Sequence, residues 1–124
     1  MKDLIEKLKK RGETFLRNGI RNYEEKDFDT SMFNLEQAAQ LFLKAKILEF
    51  GIQFPKLHDI NELIKILKKI GMETREIEKE FKETIEKLNF SYISSRYLPF
   101  SFSEVDAKKG IEFVKKLREI LWKQ

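Results

Sequence analysis

One segment, residues 30–50, is apolar on most faces of the helix that its periodicity predicts. Its apolar residues recur at helical spacing but surround much of the helix instead of forming one stripe: Met32, Phe33, Leu35, Ala38, Ala39, Leu41, Phe42, Ala45 and Leu48. A helix with this pattern is buried on most sides, because a helix at the surface needs only one apolar face. The sequence therefore predicts an all-α domain in which residues 30–50 form the central helix.

The rest of the chain predicts four more helices, and thus a five-helix up-and-down antiparallel bundle. The first covers about residues 2–24, the third 60–70, the fourth follows Thr74 with a stripe ending at Leu88, and the fifth follows Ser103. Only two Pro and five Gly interrupt the chain, and short connections favour antiparallel neighbours. A chain of 124 residues with this pattern is predicted to be one domain, 1–124.

Several positions are candidate helix ends. Asp29 or Ser31 is predicted to cap the second helix, and Asp59 the third, since Glu62 follows three residues later. Gly51 and Gly71 are predicted to end the second and third helices. Residues 89–103 are predicted to be one long irregular loop, rich in Ser and aromatic residues, and a loop of that length is usually functional.

Composition excludes several classes of site. The chain has no Cys and one His, so disulfides, cysteine catalysis and the familiar transition-metal sites are excluded, and no metal or cofactor is expected. It has neither common glycine-rich phosphate loop. No signal-like or membrane-spanning run is present, so we expect a cytoplasmic protein without membrane contact. The dominance of Lys and Glu among the charged residues is common in thermophile proteins.

Positive charge is concentrated at both ends of the chain. Residues 1–23 hold seven basic and three acidic side chains, and residues 108–124 hold six and two. If the two ends pack together they form a basic face that would attract phosphates. The alternative is an ordinary solvated helix surface.

Arg96 is the strongest candidate site residue. It falls within the predicted aromatic loop beside Tyr97, and its planar guanidinium suits phosphate while neighbouring aromatic rings suit a base. The alternative is that Arg96 caps a helix or pairs with an acid of the fourth helix.

His58, Asp59 and Lys44 are weaker candidates. His58 beside Asp59 is either part of a binding site or a structural residue at a helix start. Lys44 either faces solvent or contributes positive charge to the same cleft as Arg96.

Three islands of sequence, in a fixed order, resemble one known family. They are Glu36-Gln37-Ala38-Ala39 with Lys44-Ala45, then His58-Asp59-Ile60, then Ser95-Arg96-Tyr97-Leu98-Pro99. Together they resemble the HEPN family of small helical proteins across nearly the whole chain, although Leu98 is an insertion relative to the family pattern. The resemblance implies a helical bundle that forms homodimers and binds a nucleotide or RNA. It often implies a small nucleotidyltransferase as partner, as in toxin–antitoxin pairs.

The same resemblance bears on catalysis. Ribonuclease members of the family carry a His four to six residues after the Arg, whereas no His follows Arg96 here. We therefore expect a non-catalytic HEPN protein whose ligand-binding residues are Arg96, Tyr97, Lys44, His58 and Asp59. The alternatives are a metal-independent ribonuclease toxin, in which Arg96 and His58 would be catalytic, and a purely structural interaction module. A homodimer is expected from the family and from the many apolar faces of residues 30–50.

Overall fold

The computed structural model describes residues 1–53, 56, 58–97 and 100–123, without the side chains of residues 95–97. The described residues form six helices and no strand, which confirms the all-α prediction and corrects the number of helices from five to six. They are α1 (Lys2–Glu24), α2 (Phe28–Glu49), α3 (Ile60–Ile70), α4 (Arg75–Glu80), α5 (Lys82–Tyr97) and α6 (Glu104–Leu121). No helix in these ranges combines the length and apolar character needed to cross a membrane.

The extra helix arises because the predicted fourth helix is divided at Phe81. The Phe81 ring is buried and packs against Phe113 of α6 with a centroid distance of 5.6 Å. Backbone hydrogen bonds still run through this point, from Phe81 N to Ile77 O and from Ile85 N to Phe81 O. No Gly or Pro marks the break, and the residue at this position is the buried Phe81.

Helix α2 is the centre of the bundle, as predicted. Twelve of its residues are buried, and they include both apolar and polar side chains: Ser31, Met32, Leu35, Glu36, Ala38, Ala39, Gln40, Phe42, Leu43, Ala45, Ile47 and Leu48. The other helices cover these faces within a single chain, since α1, α3, α5 and α6 all contact α2. A single chain therefore covers most faces of α2, and the homodimer stays a prediction.

Helices α1 and α2 pack closely because glycines lie at their crossing. A Cβ atom on Gly12 would lie 2.7 Å from Phe42 Cε1, and one on Gly19 would lie 2.9 Å from Leu35. These two pairs also show that α1 and α2 run antiparallel, since the earlier residue of α1 meets the later residue of α2. The glycines that weaken the helical pattern of α1 thus permit its close contact with α2.

The contacts between helices also give the relative direction of α2 and α6. Contacts of Gly110 with Leu35, and of the Trp122 ring with Phe42, show that α6 runs in the same direction as α2. Helix α3 begins beside Gln40, in the middle of α2, because the Gln40 amide donates to the His58 carbonyl. This contact places the His58 backbone next to the centre of the bundle.

The structure revises the predicted cap of α2 and supports the predicted end of α3. Asp27, and not Asp29 or Ser31, caps α2 by accepting from Thr30 N at 3.2 Å. Asp29 instead accepts from Phe102 N at 2.7 Å, and the buried Ser31 hydroxyl donates to Gly19 O at 2.7 Å. Gly71 has a φ of 113° at the end of α3, a conformation that favours glycine.

Candidate functional site

The start of α3 is joined to α5 by a pair of polar side chains. Asp59 caps α3, with its Oδ1 accepting from Asn61 N at 2.8 Å and from Glu62 N at 3.4 Å. Asn89 of α5 accepts from Ile60 N at 2.9 Å and donates to Asp59 Oδ1 at 3.4 Å. The predicted cap at Asp59 is thus present, and Asn89 fixes it against α5.

His58 lies directly above this junction and stacks on Tyr92. The two rings are nearly parallel, with a centroid distance of 4.6 Å and an interplanar angle of 19°. The Tyr92 hydroxyl lies 3.5 Å from His58 Nε2. His58 is exposed to solvent, while its backbone carbonyl accepts from the buried Gln40 amide. The imidazole is therefore held at the surface by contacts to both its ring and its backbone.

A shallow groove of about 280 Å³ opens beside this stacked pair. We call it the α3–α5 groove, and its lining is His58, Asp59, Asn89, Tyr92 and Ile93. It combines two aromatic rings with a carboxylate and an amide, so it offers both a stacking surface and hydrogen-bonding groups.

Behind the groove, α2 carries a row of polar side chains spaced one helical turn apart: Glu36, Gln40 and Lys44. Glu36 is completely buried, and its two carboxyl oxygens accept from the Gln37 and Gln40 amides at 2.8 Å each. Burial raises the pKa of Glu36 to about 7, against the lowering effects of those two hydrogen bonds and of the Lys44 charge. A buried carboxyl that titrates near neutral pH is more typical of functional sites than of plain cores.

Lys44 is half-buried at the outer end of this row. Burial lowers its pKa, and the charge of Glu36 opposes that shift. Lys44 thus continues the polar row that includes Gln40. Gln40 links the row to the groove, because its amide donates to both Glu36 and the His58 carbonyl.

Two buried oxygens near this row accept or donate no hydrogen bond within the described part of the chain. They are Gln40 Oε1 and Ser94 Oγ, on side chains that are 4% and 3% exposed. Buried polar atoms without a hydrogen-bond partner are uncommon in protein interiors.

Arg96 and Tyr97 fall at the end of α5, one helical turn beyond Tyr92 and Ile93, and their side chains lie outside the described residues. The prediction of an irregular loop from residue 89 is wrong, because α5 continues to Tyr97. Ser91 shows why the helix tolerates this sequence, since its hydroxyl bonds to Leu88 O at 2.6 Å and contacts Met32 O at 3.3 Å.

The structure thus brings together two of the predicted site residues, His58 and Asp59, with two that the sequence did not single out, Asn89 and Gln40. Asn89 has a weak sequence signal, because asparagine is a poor helix former in the middle of a helix. Gln40 has none, since its partner is eighteen residues away in sequence. In the described part of the chain, no group of three His, Asp or Glu side chains is placed to hold a metal ion.

Comparison with known proteins gives the family. The model of the HEPN domain family matches residues 5–124, which is nearly the whole chain. The crystal structure of TT1696 from Thermus thermophilus superimposes with a TM-score of 0.76 over 94% of each chain, at 18% sequence identity. At this low identity, the superposition shows a shared fold and nothing further. No curated protein matches the sequence. The chain therefore belongs to the HEPN domain family.

Proposed function

We propose that this HEPN protein binds a nucleotide, or a nucleotide unit of RNA, in the α3–α5 groove without cleaving it. The observation that carries the proposal is the exposed His58 ring stacked on Tyr92, beside the Asp59–Asn89 pair. Aromatic rings held in a fixed orientation provide a surface on which a base can stack.

The positions of the cationic residues support a phosphate close to this base site. Arg96 follows Tyr92 by one helical turn at the end of α5, and arginine is well suited to bind phosphate through its planar fork of donors. Lys44 lies one turn along α2 from Gln40, which contacts His58. Asp59 suits the base rather than the phosphate, because its carboxylate accepts from amino groups.

Membership in the HEPN family supports a nucleotide- or RNA-related function. We further propose a small nucleotidyltransferase as partner, in a toxin–antitoxin-like pair, and a homodimer as the functional form. The absence of a His after Arg96 supports a non-catalytic role.

Binding can be tested with purified protein, a panel of mononucleotides and a short single-stranded RNA, by calorimetry and thermal shift. We expect Arg96→Ala to weaken binding by about tenfold or more, since a charge-assisted contact contributes roughly 1.5–3 kcal/mol. We expect Tyr92→Ala to weaken it as well, while Tyr92→Phe retains most of the affinity because the ring is kept. Arg75→Ala is the matched control, since Arg75 is an exposed arginine at the start of α4. Equal affinities for all four variants and the wild type would refute the proposal.

A second candidate function, a metal-independent ribonuclease, is favoured by one specific observation. His58 stacks on Tyr92, which precedes Arg96 by one helical turn of α5, so an imidazole from another part of the chain is available as an acid or base on this side of α5. An RNA cleavage assay in EDTA separates the two functions. Cleavage that is lost in His58→Gln, with RNA binding retained, would establish the ribonuclease; we expect no cleavage above background.

A further inference from the structure

The middle of helix α1 exposes positive charge almost without interruption. Between residues 7 and 21, the exposed residues are Lys7, Lys10, Arg11, Thr14, Arg17 and Arg21. Every one of them except Thr14 is a lysine or arginine. We call the five cations the α1 basic stripe.

Three of the four acidic residues of α1 lie beyond the ends of this stripe. Asp3, Glu6 and Glu24 lie outside it, toward the two ends of the helix. Glu13 is the acid within its span, but Glu13 is half-buried and binds Arg118 of α6 at 2.6 Å. Within the described residues, none of the five cations takes part in an ion pair.

Other helices of the same protein show what an ordinary solvated face looks like. The exposed residues of α6 include Glu104, Glu112 and Glu119 among its lysines. Lys116 of α6 pairs with Glu80 at 2.9 Å, and Lys68 of α3 pairs with Glu78 at 3.3 Å. The exposed face of α6 thus mixes the two signs of charge, whereas the exposed residues of α1 between positions 7 and 21 carry positive charge alone.

The geometry of the stripe fits a regular row of phosphates. At 3.6 residues per turn, the five cations fall within an arc of about 120°, and they extend over about 21 Å of helix at 1.5 Å per residue. That length spans several phosphates of one duplex strand, which in B-form DNA follow one another about every 3.4 Å along the duplex axis. The exposed part of the stripe has no aromatic side chain on which single-stranded bases could stack, because Phe15 and Tyr23 are partly buried against the core.

We propose that the α1 basic stripe is a binding surface for the phosphate backbone of duplex RNA. It is separate from the α3–α5 groove, since α1 contacts neither α3 nor α5 in the described residues. Gly12 and Gly19 join α1 to a different side of α2 from the one that carries Gln40 and faces His58. The choice of RNA over DNA rests on the proposed function; the duplex phosphate backbone as ligand rests on the stripe alone.

The proposal is tested by duplex binding as a function of salt. The triple variant Lys10→Gln, Arg17→Gln, Arg21→Gln removes three cations of the stripe, all from exposed positions, so the fold should be kept. The matched control is Lys108→Gln, Lys109→Gln, Lys115→Gln, which removes the same charge from exposed positions on α6. Fluorescence anisotropy with a labelled RNA duplex of about 20 base pairs gives the affinity and its salt dependence, and circular dichroism verifies folding.

We expect the stripe variant to bind the RNA duplex at least about tenfold more weakly than the wild type at 100 mM salt. The slope of log affinity against log salt should fall in magnitude by about three, because each lost phosphate contact removes about 0.9 from that slope. The α6 control should stay within about twofold of wild type. Equal losses of affinity in both triple variants would show that the effect depends on net charge alone, and would overturn the proposal. Failure of the wild type to bind duplex RNA at low salt would overturn it too. Tighter binding of a DNA duplex of the same sequence would overturn the choice of RNA.

The same variants distinguish this surface from the proposed nucleotide site. Arg96→Ala and His58→Ala should bind the duplex as the wild type does, and the stripe variant should bind mononucleotides as the wild type does. Loss of duplex binding in His58→Ala would instead place the duplex in the α3–α5 groove and contradict a separate surface on α1.

Discussion

At the scale of single residues, the completely buried carboxyl of Glu36 should make the stability of the protein depend on pH. Burial raises its pKa from an ordinary value of 4.5 to about 7, so the folded state favours the protonated form. Between pH 4.5 and 7 the folded protein retains a proton that the unfolded chain has released. The stabilising effect of that proton is complete below pH 4.5 and is lost as pH rises to about 7.

We therefore expect the Glu36 contribution to the free energy of unfolding to fall by roughly 3 kcal/mol over that range, at about 1.36 kcal/mol per pKa unit. Glu36→Gln should remove this component, because the amide does not titrate. Urea denaturation at pH 5, 6, 7 and 8 gives the free energy of unfolding of each protein. The Glu36 contribution is the difference in its pH dependence between Glu36→Gln and the wild type. Glu6→Gln, at an exposed position on α1, is the control and should leave the pH dependence unchanged. Parallel curves for wild type and Glu36→Gln would show that Glu36 does not titrate in this range.

The residues of the candidate site show what the sequence could and could not predict. Asp59 was predictable as a cap because its partners are two and three residues away. Asn89 and Gln40 were not, because their bonds to Ile60 and His58 depend on how α3 packs against α5 and α2. The burial of Glu36 had one sequence signal, which is clear only in retrospect. Glu36 is a charged residue in a helix whose faces are mostly apolar and therefore mostly buried.

At the scale of helices, the close contact between α1 and α2 depends on the absence of a side chain at Gly12. A methyl group there would lie 2.7 Å from Phe42 Cε1, and Phe42 is 1% exposed and packs edge-on against Trp122. Gly12→Ala should destabilise the protein, because overpacking costs about 1–3 kcal/mol and the better helix propensity of Ala offsets at most about 1 kcal/mol. Thermal or urea denaturation measures the change.

The double variant Gly12→Ala, Phe42→Leu is the control for this contact. A smaller side chain at position 42 should reduce the cost of the added methyl group, which a double-mutant cycle would register as a favourable coupling. If Gly12→Ala stabilised the protein in the wild-type background, helix propensity would dominate and the contact with Phe42 would be looser than the structure indicates.

The helices also differ in how far the sequence predicted them. Helix α3 has the predicted bounds, because Asp59 and Gly71 mark both ends and one clear apolar stripe lies between them. Helix α5 extends nine residues into the predicted loop, since Asn, Ser and aromatic residues have low helix propensity and their packing on α2 outweighs it. Ser91 is the clearest example, with its buried hydroxyl in contact with the backbone of α2.

At the scale of the whole molecule, the exposed apolar side chains suited to contact a second copy lie on and just after α5, and not on α2. Phe90, Ile93 and Phe100 are 37%, 55% and 47% exposed, and Phe100 packs edge-on against Phe90 with a centroid distance of 4.9 Å. Neighbouring exposed apolar side chains of this size commonly mark protein–protein interfaces. Ile93 also lines the α3–α5 groove, so a two-fold dimer through this surface would bring two grooves together.

We therefore expect a dimer at micromolar concentration that Ile93→Asp disrupts, because a carboxylate in the apolar interface would be buried without a partner. Leu4→Asp is the matched control, since Leu4 is also exposed, at 44%, but lies near the start of α1. Light scattering and sedimentation velocity at several concentrations measure the mass of each variant. Nucleotide affinity is measured in parallel, and equal affinity in the Ile93→Asp monomer would mean that each chain holds a complete site. The dimer would be contradicted by a wild-type protein that remains monomeric at tens of micromolar. The interface would instead lie on α1 if the dimer survived Ile93→Asp but not Leu4→Asp.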